Sequence, residues 1–143
     1  MVKPNAAQQA FTQNLPLCQA LGMEVTDVND GEATLTMPYS NELIGDPTTG
    51  VIHGGAVSAL MDSASGLAVY MHPENKGHTA TIDLRIDYMR PAAPNKTITA
   101  HAEVYHATRS VAFLRATAWT DDRERPIAQA TGAFVFTKKK KTS

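Results

Sequence analysis

Residues 50–62 read Gly50-Val51-Ile52-His53-Gly54-Gly55-Ala56-Val57-Ser58-Ala59-Leu60-Met61-Asp62. A pair of glycines follows a histidine, and the almost wholly apolar run after them carries one carboxylate. From Gly54 to about Met71, residues Ala56, Val57, Ala59, Leu60, Met61, Ala64, Leu67, Ala68 and Val69 occupy most of a helix circumference, and Pro73 ends it. A helix apolar nearly all round is a buried one, so this segment is expected at the centre of the fold. Asp62 is then the anomaly, because an ionised carboxylate among apolar side chains is strongly destabilising unless it is paired or reached by solvent.

On either side of the helix the hydrophobic period changes from 3.6 to 2. Upstream, 22–29 and 32–39 alternate, with Ala33, Leu35 and Met37 on one face, and Asn29-Asp30-Gly31 between them reads as a hairpin turn. Downstream, Ile82, Leu84, Ile86 and Tyr88 alternate with Thr81, Asp83, Arg85 and Asp87, before Pro91 and Pro94 stop the run. Three more strands are expected at 96–106, 110–120 and 126–137, with Asp121 to Arg125 turning between the last two. Residues 41–50 read as a loop of turn formers, and 5–14 as a short helix closed by Pro16. Strands that follow one another directly favour antiparallel pairing. The expected architecture is α+β: a curved antiparallel sheet of about five to six strands wrapped around one long central helix. Residues 1–20 form an N-terminal helical segment, 21–137 one domain, and 138–143 a basic tail.

Composition narrows the function classes. The 143 residues suit a single domain, and 43% hydrophobic against 19% charged residues marks a globular chain. Thirteen Lys+Arg against fourteen Asp+Glu leave a net charge of −1, which gives no bulk attraction to nucleic acid or an anionic membrane. The lysines at 138–141 read as a solvated tail. Cys18 is the single cysteine, which excludes an internal disulfide, and its apolar surroundings point to a buried structural thiol. With no run near ~20 apolar residues, a cytoplasmic protein is expected. His72, His78, His101 and His106 show no ligand spacing, and His101 and His106 fall on opposite faces of an ideal strand, so no metal is expected.

One reading of Asp62 is purely structural: it accepts hydrogen bonds from Ser58 or Ser65, one helical turn away, or lies at a wet subunit interface. The helix start suggests chemistry as well. Glycines there expose backbone N–H groups at the positive end of the helix dipole, where they can hold a carbonyl oxygen as it becomes an oxyanion. Gly54 and Asp62 are eight residues apart, about 12 Å along one helix, too far to act on one carbonyl within a chain. They meet only if two helices run antiparallel across a dimer axis.

The His53-Gly54-Gly55 start, Asp62 beyond it, and a strand ending Tyr88-Met89-Arg90-Pro91 resemble the hotdog-fold acyl-CoA thioesterases, the PaaI-like, phenylacetate-pathway branch in particular. The resemblance runs from about Leu21 to Thr137. It implies hydrolysis of an aryl- or medium-chain acyl-CoA by a homodimer, as a dimer of dimers in a homotetramer, with no cofactor beyond the coenzyme A of the substrate. Asp62 matches the catalytic acid, as general base or nucleophile. Gly54 matches the oxyanion donor, His53 a residue shaping that end of the site, and Thr81 a hydroxyl that positions water. Gly55, Asn41, Met61, Ser65, Arg90 and Arg109 are the candidate substrate contacts, the arginines, with the terminal lysines, for the coenzyme A phosphates. Relatives often carry an asparagine six residues before the histidine. Pro47 stands there in this chain, and Asn41, the nearest upstream asparagine, can substitute only if the loop folds back. A non-catalytic acyl-CoA-binding protein is the alternative, and a hotdog hydratase or dehydratase a lesser one, since no Asp/Asn-Pro-x-His sequence is present.

Overall fold

The computed structural model describes residues 2–76 and 78–137; the basic tail lies outside them. Three α-helices and eight strands follow in chain order: α1 Ala6–Gln13, α2 Pro16–Ala20, β1 Glu24–Asn29, β2 Glu32–Met37, β3 Ile44–Asp46, β4 Val51–Ile52, α3 Gly54–Tyr70, β5 Thr81–Tyr88, β6 Ile98–Ala107, β7 Val111–Trp119 and β8 Ala128–Val135. Six strands form one antiparallel sheet in the order β1-β2-β6-β7-β8-β5.

The long helix lies where its sequence pattern places it. α3 packs against the inner faces of β2, β6 and β7, and Leu60, Met61, Ala64, Leu67, Ala68 and Val69 lose all solvent contact. Each large side chain among them contributes about 1.5–3 kcal/mol by leaving water. The sheet answers with Ala33, Leu35 and Met37 from β2 and with Ala100, Ala102, Ala116, Ala118 and Ala128 from the centre. So many alanines on the inner face let the strands approach and curve around the helix.

The sheet's inner face thus follows period 2, but three bulges reset it. Register slips between Val104 and His106, so that His106 pairs with Phe113 and stacks on it at 6.0 Å. His106 therefore shares the outer face with His101, against the strict alternation read from sequence. Further slips lie between Val25 and Asp27 on β1 and between Thr81 and Asp83 on β5.

Four local readings are also revised. Pro16 does not merely close α1; it opens α2 from its first turn, where its missing N–H is harmless. At the β1–β2 turn, where an Asp-Gly pair is expected to supply positive-φ positions, only Gly31 takes one, +68°, and Asp30 does not. Residues 41–50 are not an open loop but a 3₁₀ turn, Asn41–Leu43, followed by the β3–β4 hairpin. Finally, α3 is not buried all round: Asp62 is exposed, and Ser58, Ala59 and Ser63 are only half-buried.

The N-terminal segment joins the same core. Asn5 caps α1 through a reciprocal pair of bonds with Gln8, Thr12 and Cys18 are buried, and Phe11 packs on the main cluster.

Candidate active site

The start of α3 is organised by the residue before it. His53 is the N-cap, and its Nδ1 accepts the Gly55 N–H at 2.8 Å. A neutral imidazole that accepts at Nδ1 carries its proton on Nε2. Ala56 N–H goes to the His53 carbonyl. The Gly54 N–H, at the first helical position, has no partner among the described residues and faces solvent. Of the two glycine donors considered from sequence, Gly54 is the open one and Gly55 is occupied.

The hairpin before α3 folds back onto this point. Ile44 pairs with Ile52, and His53 N–H donates to the Leu43 carbonyl at 2.8 Å. Gly45 permits the approach, since a Cβ there would come within 2.7 Å of His53 Cα. The 3₁₀ turn that begins at Asn41 is thereby brought beside the helix start, while Pro47 sits in the hairpin tip. That tip is braced by Asp46, which accepts from Thr48 N–H at 3.0 Å, Thr48 Oγ1 at 2.7 Å and Thr49 Oγ1 at 2.9 Å. These donors, those of Thr48 first, hold the Asp46 carboxyl below its usual range.

Two turns along the helix, Asp62 points out of the fold. Its Oδ1 accepts from Thr81 Oγ1 at 2.7 Å. Neither serine suggested from sequence serves it: Ser65 donates to the Met61 carbonyl at 2.7 Å, and Ser58 Oγ lies 3.1 Å from the Tyr88 hydroxyl. Thr81 opens β5, which pairs on one side only, with β8, and is one of the two edge strands of the sheet. Most of β5 is exposed, including Ile82 at 56%.

Grooves flank the helix start. One is walled by Leu17, Leu21, Leu43, Ile44 and Ala59 and floored by His53, Gly55 and Ala56. The other runs between Gly54, Val57, Tyr88 and Arg90. Met61 and Ser65, read from sequence as substrate contacts, line neither, and both are wholly buried. Arg90 and Arg109 stand apart. Arg90 follows Tyr88, which pairs with Ala128 at the start of β8; Arg109 lies in the β6–β7 turn, beside Val111, which pairs with Val135 at its end.

Comparison with known proteins assigns the scaffold. Residues 49–127, which include the His53-Gly54-Gly55 start, Asp62 and Thr81, match the Thioesterase superfamily. The chain belongs to this superfamily. It is a thioester hydrolase with a hotdog fold. A crystal structure of a Pseudomonas aeruginosa protein is 41% identical and superposes with a TM-score of 0.80, over 90% of this chain and 95% of that one. A Halobacterium salinarum relative is 39% identical over 87 residues, and the match spans 59% of this chain and 58% of that relative's length. The medium/long-chain acyl-CoA thioesterase YigI of Salmonella typhimurium is 27% identical over 140 residues, 89% of each chain.

One polar cluster escaped the sequence reading. On the outer face of the sheet His101, 6% exposed, has Nδ1 2.9 Å from Thr34 Oγ1 and Nε2 3.3 Å from Glu32 Oε1, with Glu103 close by. Its pKa is lowered, first by burial and then by the Arg123 charge, against the opposing pull of Glu32. Cross-strand pairing of Thr34 with His101 and of Glu32 with Glu103 assembles it, and only the β2–β6 register, which sequence does not supply, reveals it.

Proposed function

We propose that the chain is an acyl-CoA thioesterase in which Asp62 activates the attacking water and the Gly54 N–H holds the thioester carbonyl. The observation that carries this reading is the hydrogen bond from Thr81 to an exposed Asp62. Thr81 gives its proton to Oδ1, so its oxygen lone pairs remain to accept from a water, and Oδ2 remains to take that water's other proton. The tetrahedral oxyanion that follows is stabilised by the Gly54 N–H and the helix dipole; one such donor is worth about 10²–10³ in rate. No cofactor enters this scheme.

A carbonyl held at one Gly54 is attacked by water on the partner subunit's Asp62, so the working unit is a homodimer, assembled further into a dimer of dimers. The uncovered stripe of Ser58, Ala59 and Asp62 and the free β5 edge, with Ile82 56% and Met89 45% exposed, support self-association through this face. The apolar groove between α2 and the start of α3 suits an acyl chain, and the YigI relative is named for medium and long chains. Arg90 of one subunit and the partner's counterpart of Arg109, from the opposite end of the sheet, are suited to the coenzyme A phosphates. Among the described residues no helix is long and apolar enough to cross a membrane, and a cytoplasmic site of action accords with an acyl-CoA substrate.

The test is turnover of a panel of aryl-, medium- and long-chain acyl-CoAs, read by trapping the free thiol. Asp62→Asn is expected to abolish hydrolysis while binding persists. Undiminished turnover in that variant refutes the assignment; binding without turnover in the unaltered protein makes it an acyl-CoA-binding module instead.

A further inference from the structure

The last residue of β5 touches the helix start in a way the scheme above does not use. Tyr88 Oη lies 2.9 Å from the Gly54 carbonyl oxygen and 3.1 Å from Ser58 Oγ. A phenol has one proton to give. The Gly54 carbonyl can only accept, so it takes that proton, and the Ser58 hydroxyl supplies its own to the phenol oxygen. The Gly54 carbonyl and the Gly55 N–H belong to one peptide group, and that N–H donates to His53 Nδ1 at 2.8 Å. Ser58, Tyr88, the 54–55 peptide and His53 thus form a continuous hydrogen-bonded chain, in which each member polarises the next.

We propose that Tyr88 is a positioning residue: its hydroxyl holds the plane of the Gly54–Gly55 peptide, and through it the His53 ring and, across the Gly54 Cα, the adjoining His53–Gly54 peptide that carries the free Gly54 N–H. The inference rests on the reading of Gly54 as carbonyl donor. Packing alone does not call for the hydroxyl. Tyr88 is 53% exposed, and the ring carbons nearest Gly54 would touch a Cβ there at 3.5 and 3.6 Å, a contact phenylalanine makes equally well. What phenylalanine lacks is the second donor to a carbonyl that otherwise holds only its helical bond from the Ser58 N–H. The geometry also links the two half-sites of one chain, since β5 carries Thr81 at one end and Tyr88 at the other. The strand that presents the Asp62 partner therefore also orients the oxyanion donor.

The experiment compares Tyr88→Phe, Ser58→Ala and the double variant by kcat and KM, alongside side-chain ¹⁵N NMR of His53. Tyr88→Phe is expected to lower kcat about tenfold with KM within about twofold, because a misaimed donor is felt in the transition state more than in binding. Ser58→Ala is expected to lose about threefold, and the double variant no more than Tyr88→Phe alone, since both act through one hydroxyl. The His53 resonances should show the Nε2–H form in the unaltered protein and a shift toward a tautomer mixture in Tyr88→Phe. Unchanged kcat with an unchanged His53 spectrum overturns the proposal, as does full additivity of the two substitutions. Should Tyr88→Phe fail to fold, Ser58→Ala with the His53 spectrum decides in the same way. The catalytic reading fails separately: if Asp62→Asn keeps its turnover the Gly54–Asp62 scheme is wrong, whereas a dead Asp62→Asn beside an unaffected Tyr88→Phe removes only the role given to Tyr88.

Discussion

Thr81 and Asp62 are joined at 2.7 Å from different layers of the fold, the hydroxyl from an edge strand and the carboxylate from the central helix. The bond defines which way the carboxylate faces and leaves one of its oxygens open. Thr81→Val keeps the β-branched shape that suits a strand and removes the hydroxyl. kcat for acyl-CoA hydrolysis is expected to fall at least tenfold, with thermal stability nearly unchanged because both groups are exposed. Thr81→Ser should retain most of the activity. Steady-state kinetics on the three proteins check this, and equal rates for Val and Thr would remove Thr81 from the site.

The two glycines at the helix start make opposite predictions. A Cβ on Gly55 would lie 2.9 Å from His53 Nδ1 and 3.1 Å from Cε1, so alanine there displaces the capping ring. A Cβ on Gly54 meets nothing nearer than Tyr88 at 3.5 Å, which is ordinary contact, and its backbone does not take a positive φ. The chain's own packing does not demand glycine at 54. Gly55→Ala is therefore expected to lower both Tm and activity, losing about 1 kcal/mol with the cap. Gly54→Ala should fold with an unchanged Tm yet lose kcat/KM tenfold or more, because the added methyl stands where the thioester must approach. Thermal melts beside kinetics separate the two.

How much of this was legible follows from the range of the interactions. The all-round apolar run of α3 and the period-2 runs of β1, β2 and β5–β8 are local patterns, and they yield the element order and the antiparallel sheet directly. Which face of α3 stays open is decided by elements distant in sequence, so Asp62 was conspicuous as a carboxylate but its exposure and its bond to Thr81 were not. The bulge before His106 reverses a facing that strict alternation assigns wrongly. Met61 and Ser65 sit on the open helix's inner side, a distinction that a nearly uniform apolar circumference conceals. The β3–β4 hairpin depends on Asp46 binding its own tip and on Gly45 against His53, neither of which leaves a periodic trace.

That hairpin gives a further prediction. Asp46→Ala removes the acceptor of three hydrogen bonds in the tip, where Thr48 and Thr49 now donate. Loosening the tip relaxes the strand pair that holds the Leu43 carbonyl on His53 N–H. KM should rise several-fold with a smaller change in kcat, since the groove wall moves and Asp62 does not. Because the folded Asp46 carboxyl titrates below the ordinary aspartate value, its contribution is present above about pH 4 and is lost only as pH falls through the lower folded value. The KM effect of Asp46→Ala should therefore be constant across neutral pH. A KM difference that disappears near neutrality would contradict this account.

His101 supplies the dependence expected nearer neutrality, in stability rather than in rate. It is enclosed by Thr34 and Glu32 with Glu103 adjacent, and burial together with Arg123 pushes its pKa below the ordinary histidine value of 6.5. The unfolded chain, titrating at the ordinary value, takes up a proton before the folded one does. Stability then falls as pH drops below about 6.5, and the decline from this group ends once pH passes under the folded value. Replacing His101 by Gln keeps a side chain that can bond Thr34 or Glu32 and removes the titration. Urea midpoints measured from pH 7.5 to 5.5 should decline for the unaltered protein and decline less for His101→Gln, so that the gap between the two changes in favour of the variant as pH falls. Parallel curves over that range would show that the imidazole takes up its proton as readily in the fold as out of it, with Glu32 and Glu103 outweighing burial and Arg123.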